Sequence, residues 1–185
     1  YSFIYPGCGF GGSCFPKDLR AMEATAIKAG YQPKLLAAVS SVNDHQKSQL
    51  FKKVASYFDG QLEGKTVALW GLAFKPGTDD MREAPSRFLM EALWQQGALV
   101  RAYDPHAMEA TQDIYGVRDD LILCGTKEAA LLGADILVVC TEWKPFWSPD
   151  FAHIKNTLSH PVIFDGRNLY DPKRLQAQGI QYFAI

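Results

Sequence analysis

The stretch Thr66-Val-Ala-Leu-Trp-Gly71 decides the fold, because it is a short apolar run that ends at a glycine. Comparable runs occupy 98–104, 135–140 and 161–165, and such runs are typical of strands buried on both faces of a parallel sheet. Helical patterns alternate with these runs at 85–96, 107–115, 126–132 and 150–158. A last helix at 173–178 and a last strand at 182–185 follow. The alternation predicts βαβ units, and therefore a Rossmann-like, doubly wound α/β domain with a parallel sheet over residues 61–185.

The first 60 residues carry helical patterns instead. A helix is predicted over 16–29, and after Gly30 the apolar positions predict one long helix over 33–58. The middle of this helix is polar whereas both ends are apolar, a pattern that suits a link between domains or packing against a partner chain. Residues 1–60 are therefore separated from the α/β domain as a helical segment. Because the chain opens without methionine and leads straight into a glycine-rich loop, we interpret it as a piece of a longer protein.

The composition argues against several classes of function. The 185 residues carry a formal net charge of −1 without a basic block, so neither nucleic acid nor a membrane surface is a predicted partner. No apolar run approaches the roughly 18 residues of a transmembrane helix. The four cysteines, at positions 8, 14, 124 and 140, lack the paired spacing of a zinc site, so no metal is predicted. Scattered thiols fit a reducing compartment, and the cytoplasm is the predicted location.

A glycine-rich loop, Gly7-Cys-Gly-Phe-Gly-Gly-Ser-Cys14, is followed at once by Phe-Pro-Lys-Asp18. Proline at a first helical position and an acid in the first turn predict that Cys14 lies at or just before the start of the helix. Free N–H groups, the helix dipole and the Lys17 ammonium favour a thiolate there, which is the nucleophilic form. The alternative is a turn beside a buried, inert cysteine. A thiol redox protein is disfavoured because no C-x-x-C is present.

Two features resemble parts of a dinucleotide site without completing one. Gly7, Gly9 and Gly12 satisfy G-x-G-x-x-G, but that fingerprint requires a preceding strand, and Pro6 argues against one. Asp104 ends the second predicted strand, where a Rossmann fold carries its ribose-binding acid, yet the loop after the first strand lacks the glycine fingerprint. Ordinary dinucleotide binding is therefore not predicted for either loop.

Polar clusters follow three of the predicted strands, at the edge where such sheets bind ligands. They are residues 71–82, Thr141-Glu-Trp143 and Asp165-Gly-Arg167. We expect Lys75, Arg82 and Arg167 to meet there and to bind a phosphate or sugar hydroxyls. The alternative is that all three are solvated loop charges.

Four segments have specific sequences: Gly9-Phe-Gly-Gly-Ser-Cys-Phe-Pro-Lys-Asp18, Gly71-Leu-Ala-Phe-Lys-Pro-Gly-Thr-Asp-Asp-Met-Arg-Glu-Ala-Pro-Ser86, Cys140-Thr-Glu-Trp143 and Phe164-Asp-Gly-Arg167. In this order and spacing they resemble the UDP-glucose/GDP-mannose dehydrogenase family, across essentially the whole chain. Members have an N-terminal NAD-binding Rossmann domain, a long central helix at the dimer interface and a C-terminal Rossmann-like domain that binds the nucleotide sugar. The resemblance covers the latter parts only. It implies a homodimer through residues 33–58 and an NAD site that lies mostly outside this chain.

The resemblance implies oxidation of the C6 alcohol of a nucleotide sugar to a carboxylate, with two NAD⁺ and one water. Cys14 is implied to add to the intermediate aldehyde, giving a thiohemiacetal and then a thioester, and Asp18 to assist proton transfer in hydrolysis. UDP-glucose is the favoured substrate. The alternatives are GDP-mannose or a UDP-N-acetyl sugar, or a noncatalytic nucleotide-sugar-binding module. The chain alone is expected to be inactive.

Individual contacts are also implied by the resemblance. Those to the substrate fall on Tyr5, Pro6, Gly7, Cys8, Gly9, Phe10, Gly11, Phe74, Lys75 and Arg167. Those that border NAD fall on Cys14, Phe15, Pro16, Lys17 and Arg82. Because Cys8 stands where relatives often have proline, it is interpreted as a spectator rather than a second nucleophile.

Overall fold

A single six-stranded sheet dominates the computed structural model, which describes residues 5–185. In chain order its strands are β1 Thr66–Trp70, β2 Leu99–Tyr103, β3 Leu121–Leu123, β4 Ile136–Val139, β5 Val162–Asp165 and β6 Gln181–Ala184. Their order in the sheet is β3-β2-β1-β4-β5-β6, and every neighbouring pair is parallel. The strand order reverses between β1 and β4, which confirms the predicted doubly wound α/β fold.

Helices flank the sheet and precede it. They are α1 Phe15–Lys28, α2 Lys34–Lys47, α3 Gln49–Tyr57, α4 Pro85–Gln95, α5 Met108–Tyr115, α6 Lys127–Leu131, α7 Phe151–Thr157 and α8 Pro172–Ala177. The last three are capped by side-chain oxygens of Thr126, Asp150 and Asp171, each of which accepts a backbone N–H three residues on. Within residues 5–185 none of the helices is long and apolar enough to cross a membrane.

The long helix predicted over 33–58 is instead two helices, α2 and α3, which meet at Ser48. The Ser48 N–H donates to the carbonyl of His45, three rather than four residues back, at 3.1 Å. The same carbonyl accepts hydrogen bonds from Ser48 Oγ at 2.6 Å and from Gln49 Nε2 at 3.0 Å. Because these side chains bond to a backbone acceptor that a continuous helix would use, the helical ladder is interrupted here.

Strand β3 was not predicted from the sequence. It has only three residues, lies at an edge of the sheet and directly follows the charged stretch Arg118-Asp-Asp120. Leu121 is buried but Ile122 is exposed, so the strand lacks the continuous apolar run that marks the central ones. Its place in the sheet comes from parallel pairing with β2 rather than from its own composition.

The hydrophobic core lies on the central strands and extends into the helical segment. All residues of β4 and β5 are buried, and Trp70 at the end of β1 stacks on Phe146 with ring centroids 5.2 Å apart. Helix α3 adds Leu50 and Val54 to the same apolar cluster. It therefore packs across the boundary predicted at residue 60, and the division into two domains stays a prediction.

Glu83 ties the two helices α1 and α2 to the loop that precedes α4. Its carboxylate lies 3.1 Å from Lys47 Nζ of α2 and 3.2 Å from Arg20 Nη1 of α1. The Lys47 side chain is only 2% exposed, so this pairing offsets part of the cost of burying its ammonium group. Partial burial opposes ionisation of Glu83, but the hydrogen bonds and charges of Lys47 and Arg20 outweigh it and lower the pKa of Glu83.

This pairing predicts a pH-dependent contribution to stability. Because the pKa of Glu83 is lower in the folded chain than in the unfolded one, its stabilisation is complete above about pH 5 and is lost as the pH falls below about 4. We expect Glu83→Gln to lower the free energy of unfolding by about 1 kcal/mol at pH 7, with the difference from wild type shrinking toward pH 3. Urea unfolding across this range measures it. Glu109→Gln, an exchange at an exposed position of α5, is the control and is expected to change little at any pH. A deficit for Glu83→Gln that does not vary with pH would contradict the assignment.

Candidate active site

The glycine loop, residues 7–12, crosses the carboxyl edge of the sheet. Near its start Cys8 Sγ lies 3.6 Å from the carbonyl oxygen of Cys140, the residue after β4. At its end the Gly12 N–H donates to the carbonyl of Arg82, in the loop after β1, at 2.7 Å. The loop therefore lies over the reversal of strand order between β1 and β4, where doubly wound sheets bind their ligands.

Two glycines permit this close packing. Gly12 has a φ of +90°, and a Cβ atom there would lie 2.8 Å from the Phe74 ring. A Cβ at Gly11 would collide with the carbonyl oxygen of Glu83. Any side chain at these positions would push the glycine loop away from the loop after β1, so bare backbone is required.

Cys14 is the N-cap residue of α1 and is exposed, which confirms its predicted place at the start of that helix. Its Sγ lies 3.6 Å from Ser13 Oγ and makes no capping hydrogen bond. One turn along, the Asp18 N–H donates to the Cys14 carbonyl at 2.8 Å, and the Asp18 carboxylate lies 3.3 Å from Lys17 Nζ. A thiol, an acid and an ammonium group are thus exposed together at the helix start. The thiolate form of Cys14 stays a prediction.

Arg82 places a positive charge near this thiol. The Arg82 guanidinium donates two hydrogen bonds to the Asp80 carboxylate, from Nε to Oδ1 at 3.0 Å and from Nη2 to Oδ2 at 2.9 Å. That pairing raises the pKa of Arg82. Conversely, the hydrogen bond from Arg82 lowers the pKa of Asp80. Because Arg82 is exposed, its guanidinium remains accessible to an anionic ligand.

Phe74 and Lys75 form the part of the site that follows β1. The Phe74 ring packs under Gly12, and the Phe74 N–H donates to the Asp80 carbonyl at 3.0 Å, which closes this loop on itself. Lys75 Nζ lies 5.3 Å from the centre of the Phe74 ring and is exposed. The ammonium is therefore held near the site by an aromatic face while staying open to an anionic partner.

Arg167 enters the site from the end of β5. Its guanidinium meets Glu142 at two points, with 2.6 Å from Nη2 to Oε1 and 2.6 Å from Nε to Oε2. The remaining nitrogen, Nη1, faces Gly7, where an added Cβ would lie 2.7 Å away. Glu142 therefore aims Arg167 at the glycine loop. The sequence marked residues 141–143 only as a polar cluster and did not predict this pairing.

Asp104 is not available as a ribose-binding acid. It is 1% exposed, and both of its carboxylate oxygens are used inside the protein. Five N–H groups donate to it at 2.7–3.1 Å: those of Leu72, Ala73, His106 and Ala107 and the indole of Trp143. One carboxylate thus fastens the loops that follow β1, β2 and β4.

Asp165 has a similar role behind Arg167. Its fully buried carboxylate accepts hydrogen bonds from the N–H of Arg167 at 2.8 Å, the N–H of Leu169 at 2.7 Å and the hydroxyl of Tyr182 at 2.8 Å. Burial and then the charge of Asp165 raise the pKa of Tyr182, so its hydroxyl stays a donor. The sequence signal for both acids is an aspartate directly at the end of a buried apolar strand.

Cys8 and Cys140 form a buried pair of thiols beside the glycine loop. Cys8 is fully buried, and an added Cβ at Gly166 would lie 3.0 Å from its Sγ. The hydrogen bond with Cys8, and then burial, raise the pKa of Cys140, so the Cys140 thiol stays protonated. The interpretation of Cys8 as a spectator stays a prediction.

The structure gathers most, but not all, of the remaining predicted residues. The Phe10 ring packs edge-on against Phe15 with centroids 4.6 Å apart, next to Cys14, and Pro16 is buried at the start of α1. Tyr5 and Pro6 are exposed where the described chain begins. Neither is brought against the arginines of the sheet edge by a hydrogen bond or ion pair among the described residues.

A doubly wound sheet with a cysteine-bearing loop across its reversal point defines an α/β protein with a thiol at its ligand edge. Comparison with known protein families identifies the family to which this α/β protein belongs. The UDP binding domain model of the UDP-glucose/GDP-mannose dehydrogenase family matches residues 68–172, and the central domain model of the same family matches residues 1–45. The chain belongs to this family.

Individual relatives agree with this assignment. The chain is 48% identical to a UDP-glucose 6-dehydrogenase of Pseudomonas aeruginosa, over 99% of the chain and 41% of that protein. A solved UDP-glucose dehydrogenase from the archaeon Pyrobaculum islandicum is 30% identical with a TM-score of 0.81, over 96% of the chain and 38% of that structure. A GDP-mannose dehydrogenase from Pseudomonas aeruginosa is 25% identical with a TM-score of 0.75, over 98% and 41%. The chain thus spans about two fifths of the length of the relatives it matches.

Proposed function

We propose that this chain is the nucleotide-sugar-binding and cysteine-bearing part of an NAD-dependent UDP-glucose 6-dehydrogenase, working in the cytoplasm. One observation carries the proposal: the glycine loop, which leads into the exposed Cys14, packs against the loops after β1 and β5 that carry Lys75, Arg82 and Arg167. Three cations on the loops that contact this glycine loop suit a ligand that combines a diphosphate with a sugar, and a thiol that follows the loop suits covalent capture of an aldehyde.

In this proposal Cys14 traps the half-oxidised sugar. Its sulfur adds to the C6 aldehyde, the carbonyl oxygen takes up a proton, and a thiohemiacetal forms. Loss of a hydride and a proton turns the thiohemiacetal into a thioester, and attack by water releases the carboxylate and the thiol. Asp18, one turn into α1 from Cys14, is the group that we propose takes a proton from that water. The covalent bond keeps the aldehyde from escaping between the two oxidations.

NAD⁺ would supply the hydride acceptor for both oxidations. The residues of the sheet do not form its site, because Asp104 is used internally and the loop after β1 has no glycine fingerprint. The exposed face beside Cys14 does fit one border of a bound cofactor. Phe15, Lys17 and Arg82 are all exposed there, and they offer a ring and two cations to a dinucleotide.

The homodimer is part of the proposal. Helices α1 and α2 and the link between them leave large apolar side chains exposed in the described chain: Met22, Ile27, Tyr31, Leu35 and Val42. Leu35 is 76% exposed and Val42 67%, on the segment that the family resemblance assigns to the interface. A second copy that covers these side chains would remove apolar surface from water.

Ligand binding tests the proposal. We expect calorimetric titration of the chain to show UDP-glucose binding about tenfold more tightly than GDP-mannose, since a site built for one base leaves polar groups unpaired with another. Arg167→Lys is expected to weaken UDP-glucose binding about tenfold, because lysine loses the two-point contact with Glu142 that aims the guanidinium.

Arg118→Lys is the matched control. Arg118 also forms a two-point pair with a carboxylate, Asp120, but this pair follows α5 and lies beside the amino end of β3. It is expected to leave binding unchanged. Tighter binding of GDP-mannose would favour the alternative substrate, and failure of the chain to bind any nucleotide sugar would defeat the proposed function.

A further inference from the structure

Helix α2 presents three polar side chains to the glycine loop. Asn43, Gln46 and Lys47 stand at positions i, i+3 and i+4, which share one face of a helix. Gln46 Nε2 donates to the carbonyl of Gly7 at 2.8 Å, and a Cβ at Gly9 would lie 2.8 Å from Cγ of Lys47. The loop is therefore held between α2 on one side and the sheet edge on the other.

Asn43 makes the tightest of these contacts. Its Oδ1 accepts the Phe10 N–H at 2.7 Å, and its Nδ2 donates to the Phe10 carbonyl at 3.2 Å. One side-chain amide thus pairs with both polar groups of one loop residue. Asn43 is 7% exposed, so little water is available to replace either bond if the amide is lost.

Direct contacts connect Phe10, which Asn43 holds, to the proposed nucleophile Cys14. The Phe10 ring packs on Phe15, which directly follows Cys14 and is the first residue of α1. A shift of the Phe10 backbone would consequently move the loop relative to the thiol.

We propose that Asn43, assisted by Gln46, is a positioning residue that holds the glycine loop in the conformation that closes on the hexose of a bound nucleotide sugar. The inference rests on the proposed function and names an element that acts on the sugar rather than on the nucleotide. We assign the nucleotide to Lys75 and Arg167, which come from loops of the sheet domain that Asn43 does not contact by any hydrogen bond in the described structure.

The distinguishing measurement is a pair of dissociation constants, for UDP-glucose and for UDP, on the same chain. Wild type is expected to bind UDP-glucose more tightly than UDP. In Asn43→Asp the carboxylate still accepts the Phe10 N–H but repels the Phe10 carbonyl. We expect about fivefold weaker UDP-glucose binding, the effect of one hydrogen bond, and UDP binding within about twofold of wild type. Gln46→Met removes a single bond at a part-exposed position, and the same split is expected at a smaller size.

Asp44→Asn is the matched control, an acid–amide exchange at the next residue of α2, which is exposed and does not face the loop. It is expected to change neither constant. Thermal melting of each variant checks that the chain is folded, and Gln46→Met carries the test if Asn43→Asp unfolds.

The binding results distinguish a failure of this inference from a failure of the proposed function. If wild type binds neither ligand, the proposed function fails and takes this inference with it. If wild type binds UDP and UDP-glucose equally, or if the variants weaken both ligands by the same factor or neither of them, the inference is overturned while nucleotide-sugar binding stands.

Discussion

Asp104→Ala is expected to lower the free energy of unfolding by about 4 kcal/mol, the largest loss of stability from any single polar side chain of this site. The carboxylate accepts five N–H groups and is 1% exposed, so its removal leaves buried donors without partners. Each unsatisfied buried donor costs about 1–3 kcal/mol, and water that enters the space left by the carboxylate recovers part of the total.

Urea unfolding followed by circular dichroism measures this loss. Asp113→Ala, at an exposed position of α5, removes the same groups from a place without buried donors and is expected to change the free energy by less than about 0.5 kcal/mol. A deficit below about 1 kcal/mol for Asp104→Ala would mean that the loops after β1, β2 and β4 hold their positions without this carboxylate.

Cys14→Ser is expected to abolish covalent capture of the C6 aldehyde of UDP-glucose. A thiol ionises far more readily than a hydroxyl and adds to carbonyls as the thiolate, so serine at this exposed helix start cannot take its place. With the aldehyde labelled with ¹³C at C6, wild type is expected to show the carbon resonance of a thiohemiacetal by NMR, and the variant to show the free aldehyde and its hydrate only.

Cys8→Ser is the internal control, because it makes the same exchange six residues earlier, in the glycine loop, at a thiol with no solvent exposure. It is expected to keep the thiohemiacetal signal. Persistence of that signal in Cys14→Ser, or its loss in Cys8→Ser alone, would move the nucleophile to Cys8. Absence of the signal from wild type would contradict the assignment of any thiol as the trap.

Local sequence patterns predicted much of the fold. The buried runs around β1, β2, β4 and β5 predicted a doubly wound sheet because strands covered on both faces must be apolar throughout. The start of α1 was readable at Cys14 because proline and an acid mark a first helical turn. Three polar clusters that directly follow predicted strands then indicated which loops meet at the carboxyl edge.

Features that depend on distant partners were not predictable. The break at Ser48 arises from a competition for one backbone carbonyl, which apolar periodicity does not report. Strand β3 exists because β2 offers an edge to pair with. Asn43 was noticed only as part of a polar stretch, because its partner, the Phe10 backbone, lies 33 residues away in the chain.

The inward turn of Asp104 limits what can be engineered into this sheet. Its strand order is that of a dinucleotide-binding domain, so the obvious way to engineer dinucleotide binding is to introduce the glycine fingerprint into the loop after β1. Such a graft would still have no acid to bind a ribose, because freeing the Asp104 carboxylate would release the loops that carry the proposed sugar site. Redesign for a new cofactor therefore has to begin by giving those loops another anchor.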